Sequence, residues 1–282
     1  MGDNVFFLRG QLQKNVVTAI DVENVLDASS VIKDKGVFYV GRTPEEVGEI
    51  RKPEEPFNKK KWSPWRKLNF EFYKRELAKL PNGNTLFDLG AGYQPFKELY
   101  GPFQVVAADF NYFPEIDIVC DLDRKLPFKD SVADIVIHSN VLEHLPYPID
   151  FTRECYRILK KGGTLLATVP FIHPSHMRPF DFHRYTDIGL HTLLEDAGFT
   201  NIEITPLGTP FDVLYHMSHK FFIRGYNTEY SKNKSVQRLY LYGFALLERF
   251  HNMAMRFYRR LSVMMEPTPV FTEGFAIRAE RR

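Results

Sequence analysis

From Trp65 onward the apolar residues follow two alternating periods. Trp65–Leu80 carries Leu68, Phe72 and Leu77 near one face, which predicts a helix. Short, almost wholly apolar runs then alternate with longer amphipathic ones. Thr85–Leu89, Val105–Ala108, Ile116–Cys120, Ala133–His138, Thr164–Val169 and a run opening at Ile202–Ile204 predict six strands, and Phe271–Ala279 a seventh. Pro95–Tyr100 predicts a short helix. Asp150 is placed to cap a helix running to Leu159, with Lys160 and Lys161 in its last turn and Gly162 just past it. Thr186 is placed to cap another through Ala197, closed by Gly198. Apolar strands separated by helices imply a parallel sheet covered on both faces. The expected fold class is α/β, a doubly wound, mostly parallel, seven-stranded sheet of Rossmann-like kind.

Residues outside this pattern set the expected domain limits. Residues 1–64 read as an N-terminal extension and linker, with Asn15–Ile20 and Gly36–Val40 strand-like and Asp21–Leu26 a helical turn. The stretch from Arg42 to Pro64 is charged and Pro-rich, and its lysines at 59–61 suit a solvated linker or a phosphate-binding patch. Residues 65–282 form the main domain, interrupted before its last strand by a helical insertion at 210–264. Within that insertion Val236–Leu261 places apolar residues at steps of three or four beside Arg249, Arg256, Arg259 and Arg260. Such a helix suits packing on the protein's own core, a wall over a substrate, or a dimer or membrane-surface face. Peripheral membrane contact therefore stays open, as does the choice between monomer and homodimer. Phe211, Tyr215 and His216 are expected near the substrate side.

The chain has 282 residues with 37 Lys and Arg against 35 Asp and Glu, a net charge of +2. So small a balance gives no global attraction to nucleic acid. Cys120 and Cys155 stand in no metal-binding spacing and suit a reducing compartment, so a cytoplasmic location is expected. The N-terminus has no basic region followed by an apolar run, and no stretch has the length of a membrane span.

The chemistry concentrates where strands end. Phe87-Asp88-Leu89-Gly90-Ala91-Gly92-Tyr93-Gln94-Pro95 follows the first strong strand. Asp109 ends the next strand, 19 residues beyond Gly90, and Asp121 ends the third. Glycine lets backbone approach a ligand, and a carboxylate at the tip of the second strand is placed to accept both hydroxyls of a ribose. A solvent-exposed turn explains Gly-x-Gly alone, but not three acidic strand ends beside it. A dinucleotide site would call for a third glycine where Pro95 stands.

At these residues the sequence resembles the class I S-adenosylmethionine-dependent methyltransferases of the type 11 group. Asp88-Leu-Gly-Ala-Gly92 looks like the family's first motif and Asp109 its second. Asp121, Leu126-Pro-Phe128 and Ala133–Leu145 look like the next two, and Leu159–Leu166 like its turn into strand five. The likeness covers about 83–206 plus the final strand. Gln94 departs from the third alternate glycine of many relatives. The resemblance implies S-adenosyl-L-methionine as cofactor. Gly90, Ala91 and Gly92 would lie beneath its methionine and ribose, Asp88 near the amino group, and Asp109 with Phe110 at the ribose. Asp121 and Leu122 would meet the adenine, and Ser139 and Asn140 would complete the pocket. The partner is then a small-molecule acceptor. Ser139-Asn-Val-Leu142 contains neither the Asn-Pro-Pro-aromatic nor the Pro-Cys string of nucleic-acid methyltransferases.

On the acceptor side, Pro170–Thr186 crowds His173, His176, Asp181, His183 and Arg184 into twelve residues. Three readings stay open for it. The polar groups brace an irregular loop, a histidine serves the acceptor, or, least favoured, the cluster holds a metal. No tight motif such as His-Glu-x-x-His is present, so no metal is expected. His144, just after strand four, is either a base for an acceptor hydroxyl or a packing histidine. His144, His176, Asp181 and Arg184 are the catalytic candidates.

Overall fold

The structure, a computed structural model, describes residues 21–27, 31–47, 59, 62–226, 253, 257 and 265–282. In chain order the elements are α1 (Val22–Val25), β1 (Val31–Asp34), β2 (Val37–Val40), α2 (Pro44–Val47), α3 (Pro64–Leu77), β3 (Thr85–Leu89), β4 (Gln104–Asp109) and β5 (Ile118–Cys120). Then come β6 (Ala133–Ser139), α4 (Pro148–Ile158), β7 (Leu159–Pro170), α5 (Asp187–Asp196), β8 (Thr200–Leu207), α6 (Pro210–Tyr226) and β9 (Gly274–Glu280).

One sheet holds all the strands in the order β1-β2-β5-β4-β3-β6-β7-β9-β8. From β2 to β7 every pairing is parallel, while β9 runs antiparallel to both β7 and β8. Alternation along the strands divides the core. Leu86, Ile135, Ile137 and Leu166 face α3, whose Trp65, Phe70 and Tyr73 are buried against them. Phe87, Leu89, Val136 and Leu165 face the other way, toward Phe151 of α4 and Leu190 of α5. Strands apolar on both sides read as continuous hydrophobic runs because a helical layer covers each face.

Among the described residues the sheet has nine strands rather than the expected seven. The two extra strands come from the region upstream of Arg42. Lys35 and Gly36 take φ of 47° and 84°, the turn that matches strand twist, and fold β1 onto β2. β2 then lies parallel to β5, pairing Phe38 with Ile118. Asp150 does not cap α4. Pro148 opens the first turn and the cap is Tyr147, without a side-chain hydrogen bond, so Asp150 lies inside the first turn rather than before it. The helix also ends at Ile158. Leu159 is buried, pairs with Ala133 and is extended, so Lys160 and Lys161 lie in β7. Thr186 does cap α5, its hydroxyl accepting from Gly189 N–H at 3.1 Å. The Asn15–Ile20 strand and nearly all of the Val236–Leu261 helix lie outside the described residues. Among the described residues, no helix is long and apolar enough to cross a membrane.

Candidate functional site

β4 and β6 leave β3 in opposite directions, which makes β3 the switch point of the sheet. Beyond the carboxyl ends of β3, β4, β5 and β6 lies a cavity of about 960 Å³. Its wall includes Asp88, Gly90, Ala91, Gly92, Asp109, Phe110, Asp121, Leu122, Ser139 and Asn140, all ten residues expected at a cofactor site.

The turn after β3 explains its glycines. Gly90 has φ +75°, and a Cβ there would lie 2.4 Å from Val141 Cγ2. Gly92 has φ +51° with nothing within 4 Å of its would-be Cβ, so bare backbone faces the cavity. The same turn is tied to β4. Gly92 N–H donates to Asp109 Oδ2 at 2.9 Å and Asn111 N–H to Oδ1 at 2.8 Å. Tyr100 hydroxyl donates to Asp88 Oδ2 at 2.9 Å. Burial is the main cause that pushes Asp88 up to about 7, with the Tyr100 bond opposing and the Asp109 charge adding. Burial likewise lifts Asp109 to about 6 against its backbone N–H donors. Asp121 accepts from Asp123 N–H at 3.0 Å and pairs with Arg124 at 3.2 Å. Phe110 is exposed, with the Arg42 guanidinium 4.1 Å from its ring centre.

On the opposite wall, Asn140 has φ +56° and its Oδ1 accepts from Trp65 Nε1–H at 2.8 Å. Asn140 Nδ2 donates to Ser139 Oγ, which lies 3.0 Å from Thr168 Oγ1. In sequence Trp65 merely opens a helix, and Trp62 and Ser63 fall in the linker before it. The structure puts all three on the cavity wall with Asn69. Ser63 caps α3, accepting from Arg66 N–H at 3.2 Å, and so aims the first turn of the helix at the cavity. Asn69 is buried, and among the described residues neither of its amide atoms has a hydrogen-bond partner.

The loop after β7 docks on the turn after β6. Phe182 and His183 N–H donate to Glu143 O at 2.8 and 3.2 Å, and Tyr185 hydroxyl to Leu142 O at 3.1 Å. Asp181 receives Arg184 at 2.7 and 3.0 Å and His176 N–H at 2.9 Å. Desolvation opposes its charge, but bonds from Arg184, His176 N–H and Ser175 outweigh it and hold the carboxyl well below the usual range. His144 lines the cavity with Met177 and Phe180, and His176 packs edge-on against it, 4.9 Å between ring centres. The four catalytic candidates thus cluster, with His144 on the cavity wall and His176, Asp181 and Arg184 behind it. The structure adds Glu143, fully buried, with Oε1 3.6 Å from His144 Nε2 and 3.9 Å from His176 Nε2. Phe211, Tyr215 and His216 are absent from the cavity wall. His216 turns inward, 3.2 Å from Glu273, with its ring 4.7 Å from that of His173.

Comparison with known proteins bears on this cavity. A family model described as a methyltransferase domain, of the type 11 group, matches residues 97–167. A protein of Mycolicibacterium smegmatis named "Probable S-adenosylmethionine-dependent methyltransferase" is 33% identical over 93 residues, covering 31% of this chain and 36% of that protein. One of Mycobacterium tuberculosis, similarly named, is 28% identical over 124 residues, covering 37% and 43%. The matched segments span less than half the length of these curated relatives. Among solved structures, the cyclase SpnF aligns with a TM-score of 0.50 at 18% identity, covering 79% of this chain and 85% of that one. That likeness is one of fold.

The residues present fit the cofactor named for these relatives. The cavity volume suits a ligand of that size. Two buried carboxylates suit a sulfonium and an ammonium, the unpartnered Asn69 amide suits a polar end, and the bare Gly92 backbone admits close approach.

Proposed function

We propose that this chain, which carries a class I S-adenosylmethionine-dependent methyltransferase domain with S-adenosyl-L-methionine as its cofactor, transfers a methyl group to a hydroxyl of a small-molecule acceptor. The observation that carries the reading is one cavity with the acidic strand ends on one side and His144 on the other. When bound, the cofactor supplies an already activated methyl group, so the protein's task is chiefly alignment. In this reading Asp109 holds the ribose hydroxyls, Asp88 and Asn69 the amino-acid end, and Asp121 with Leu122 the adenine. Trp65 acts through Asn140, keeping that residue in its left-handed conformation on the cavity wall. His144 and His176 serve the acceptor hydroxyl, and the Asp181–Arg184 pair fixes the loop that carries His176.

The test is turnover. The purified chain is incubated with S-adenosylmethionine and panels of hydroxylated glycans, lipid-linked sugars and natural products, and S-adenosylhomocysteine release is followed. Acceptor-dependent release is expected. Cofactor binding without release on any class, amines and thiols included, would leave a non-catalytic binding protein instead. Given an acceptor, His176→Ala is expected to lower turnover by about 10²–10⁴-fold. Cofactor affinity and melting temperature should stay near wild type. A melting temperature lower by several degrees with unchanged specific activity would reduce His176 to a loop brace.

The raised carboxyls predict how cofactor binding responds to pH. Asp88 and Asp109 take up protons in the free protein near pH 7 and 6. A cationic ligand favours their ionised forms, so binding expels protons. Affinity is therefore expected to rise from about pH 5 to about pH 7 and then to level off. Stability runs the other way. Between the ordinary carboxyl value of about 4 and about 7 the native state holds more protons than the unfolded chain, so stability falls as pH rises. Calorimetry in buffers of different ionisation enthalpy checks the first part; proton uptake on binding near pH 6 would contradict it.

A further inference from the structure

Glu143 is the least accommodated ionisable group at the site. It sits in the short 3₁₀ turn Leu142–His144, fully buried, and among the described residues no other residue hydrogen-bonds either carboxylate oxygen. Burial pushes it up to about 8. A carboxyl buried without donors is costly unless something positive reaches it. The charge of Arg184 acts on it only from a distance, because that guanidinium is committed to Asp181.

The groups that do face Glu143 are imidazole nitrogens, and their tautomers follow from their other contacts. His144 Nδ1 lies 2.5 Å from Phe180 O, and His176 Nδ1 lies 3.2 Å from Pro174 O. A carbonyl only accepts, so each Nδ1 carries the hydrogen and each Nε2 a lone pair. Arg184 Nη2 also approaches His176 Nδ1, but at 3.4 Å, farther than the carbonyl. Two Nε2 lone pairs and a carboxylate oxygen therefore face one another, with their ligand atoms all within 4.8 Å. With the carboxyl ionised these are three acceptors that repel one another, and a cation among them removes the repulsion and favours the ionised form.

We propose that Glu143, His144 and His176 bind a divalent metal ion of the zinc class, with a fourth coordination position open to the cavity. Two imidazoles and one carboxylate form a donor set that zinc and late first-row divalent ions favour, and three protein ligands leave one position free. Tetrahedral coordination at zinc–nitrogen lengths puts ligand atoms roughly 3.3 Å apart. The observed Glu143–histidine separations of 3.6 and 3.9 Å need contractions of about 0.3 and 0.6 Å, and the two histidine ligand atoms, within 4.8 Å of each other, close by rotation of the half-buried imidazoles toward the ion. The outer layer suits a metal as well. Each Nδ1–H is anchored on a backbone carbonyl, and the Asp181–Arg184 pair fixes the backbone N–H of His176. His144 reaches the cavity wall, so the open position lies toward the acceptor. That last step rests on the methyl-transfer reading. The ion would hold the acceptor's oxygen and make its proton easier to lose to water, while the two imidazoles hold the ion instead of taking the proton themselves.

The experiment uses the full chain, stripped with a chelator and titrated with Co²⁺. One Co²⁺ per chain is expected, with the intense visible bands of a four-coordinate ion, displaced by Zn²⁺. Glu143→Gln and His176→Ala should each weaken binding by more than about 100-fold, since even outer-layer changes cost 10–100-fold. Weak bands of a six-coordinate ion, no stoichiometric binding of either metal by the wild type, or wild-type affinity in both variants would overturn the site. The wild-type titration decides even where a variant misfolds. Cofactor affinity is measured separately by calorimetry. Metal bound without cofactor binding sinks the methyltransferase reading alone, and cofactor bound without metal sinks this proposal alone.

Discussion

A single methyl group added at position 90 is expected to destabilise the protein by about 2–5 kcal/mol, from a left-handed backbone penalty of about 1–2 and overpacking of about 1–3. Gly90 holds φ +75°, and the new Cβ of Gly90→Ala would lie 2.4 Å from Val141 Cγ2. Neither partner has room to move. Gly90 and Ala91 N–H both donate to Ala108 O on β4, and Val141 is buried in the turn leaving β6. For a domain of this size the melting temperature should fall by roughly 5–15 °C. Gly92→Ala is the contrasting case. It carries a similar backbone penalty at φ +51° but meets nothing within 4 Å. Its methyl group projects toward the cavity, so affinity for S-adenosylmethionine should fall more than stability. Val141→Ala should recover part of the Gly90→Ala loss, because the two sites share one contact. A Gly90→Ala protein that melts like the wild type would remove the steric account of this turn.

The parts of the site legible in the sequence are those set by short chain segments. Asp88, Gly90 and Gly92 belong to one strand and its turn, and Asp109 and Asp121 each end a strand visible as an apolar run. Their meeting follows once the strands are parallel, because carboxyl ends then share one edge. The missing pieces depend on pairings between distant segments. β2 lies against β5 across some eighty residues, and no local pattern says which edge it joins. The hairpin itself was readable, since Asp34-Lys35-Gly36-Val37 has the composition of a tight two-residue turn. Trp62 reads as linker and Trp65 and Asn69 as the start of a helix, and only the packing of α3 on β6 and β7 turns them to the cavity. Glu143 stood in plain view beside His144. Its role stayed hidden because its partner, His176, comes from another loop, and residues 33 positions apart form no metal-binding spacing.

Removing the carboxylate of Asp109 is expected to weaken S-adenosylmethionine binding by about 1–3 kcal/mol, the usual penalty for leaving buried partners unsatisfied. That corresponds to roughly 5–150-fold in affinity. Asp109 is nearly buried at the end of β4, and its two oxygens already accept from Gly92 and Asn111 N–H. Each oxygen keeps a further lone pair, the arrangement needed to receive two ribose hydroxyls while the glycine turn stays in place. Asp109→Ala therefore acts twice, deleting the ribose acceptor and releasing Gly92. Asp109→Asn separates the two effects, because its one carbonyl oxygen can keep a single N–H donor. It should fall between wild type and Asp109→Ala. S-adenosylhomocysteine carries the same ribose without the sulfonium charge, so its affinity should drop in parallel with that of S-adenosylmethionine. Calorimetric titration of both ligands into all three proteins makes the comparison. Unchanged affinities in Asp109→Ala would exclude the ribose role, and a loss confined to S-adenosylmethionine would mean that Asp109 acts through charge on the sulfonium instead.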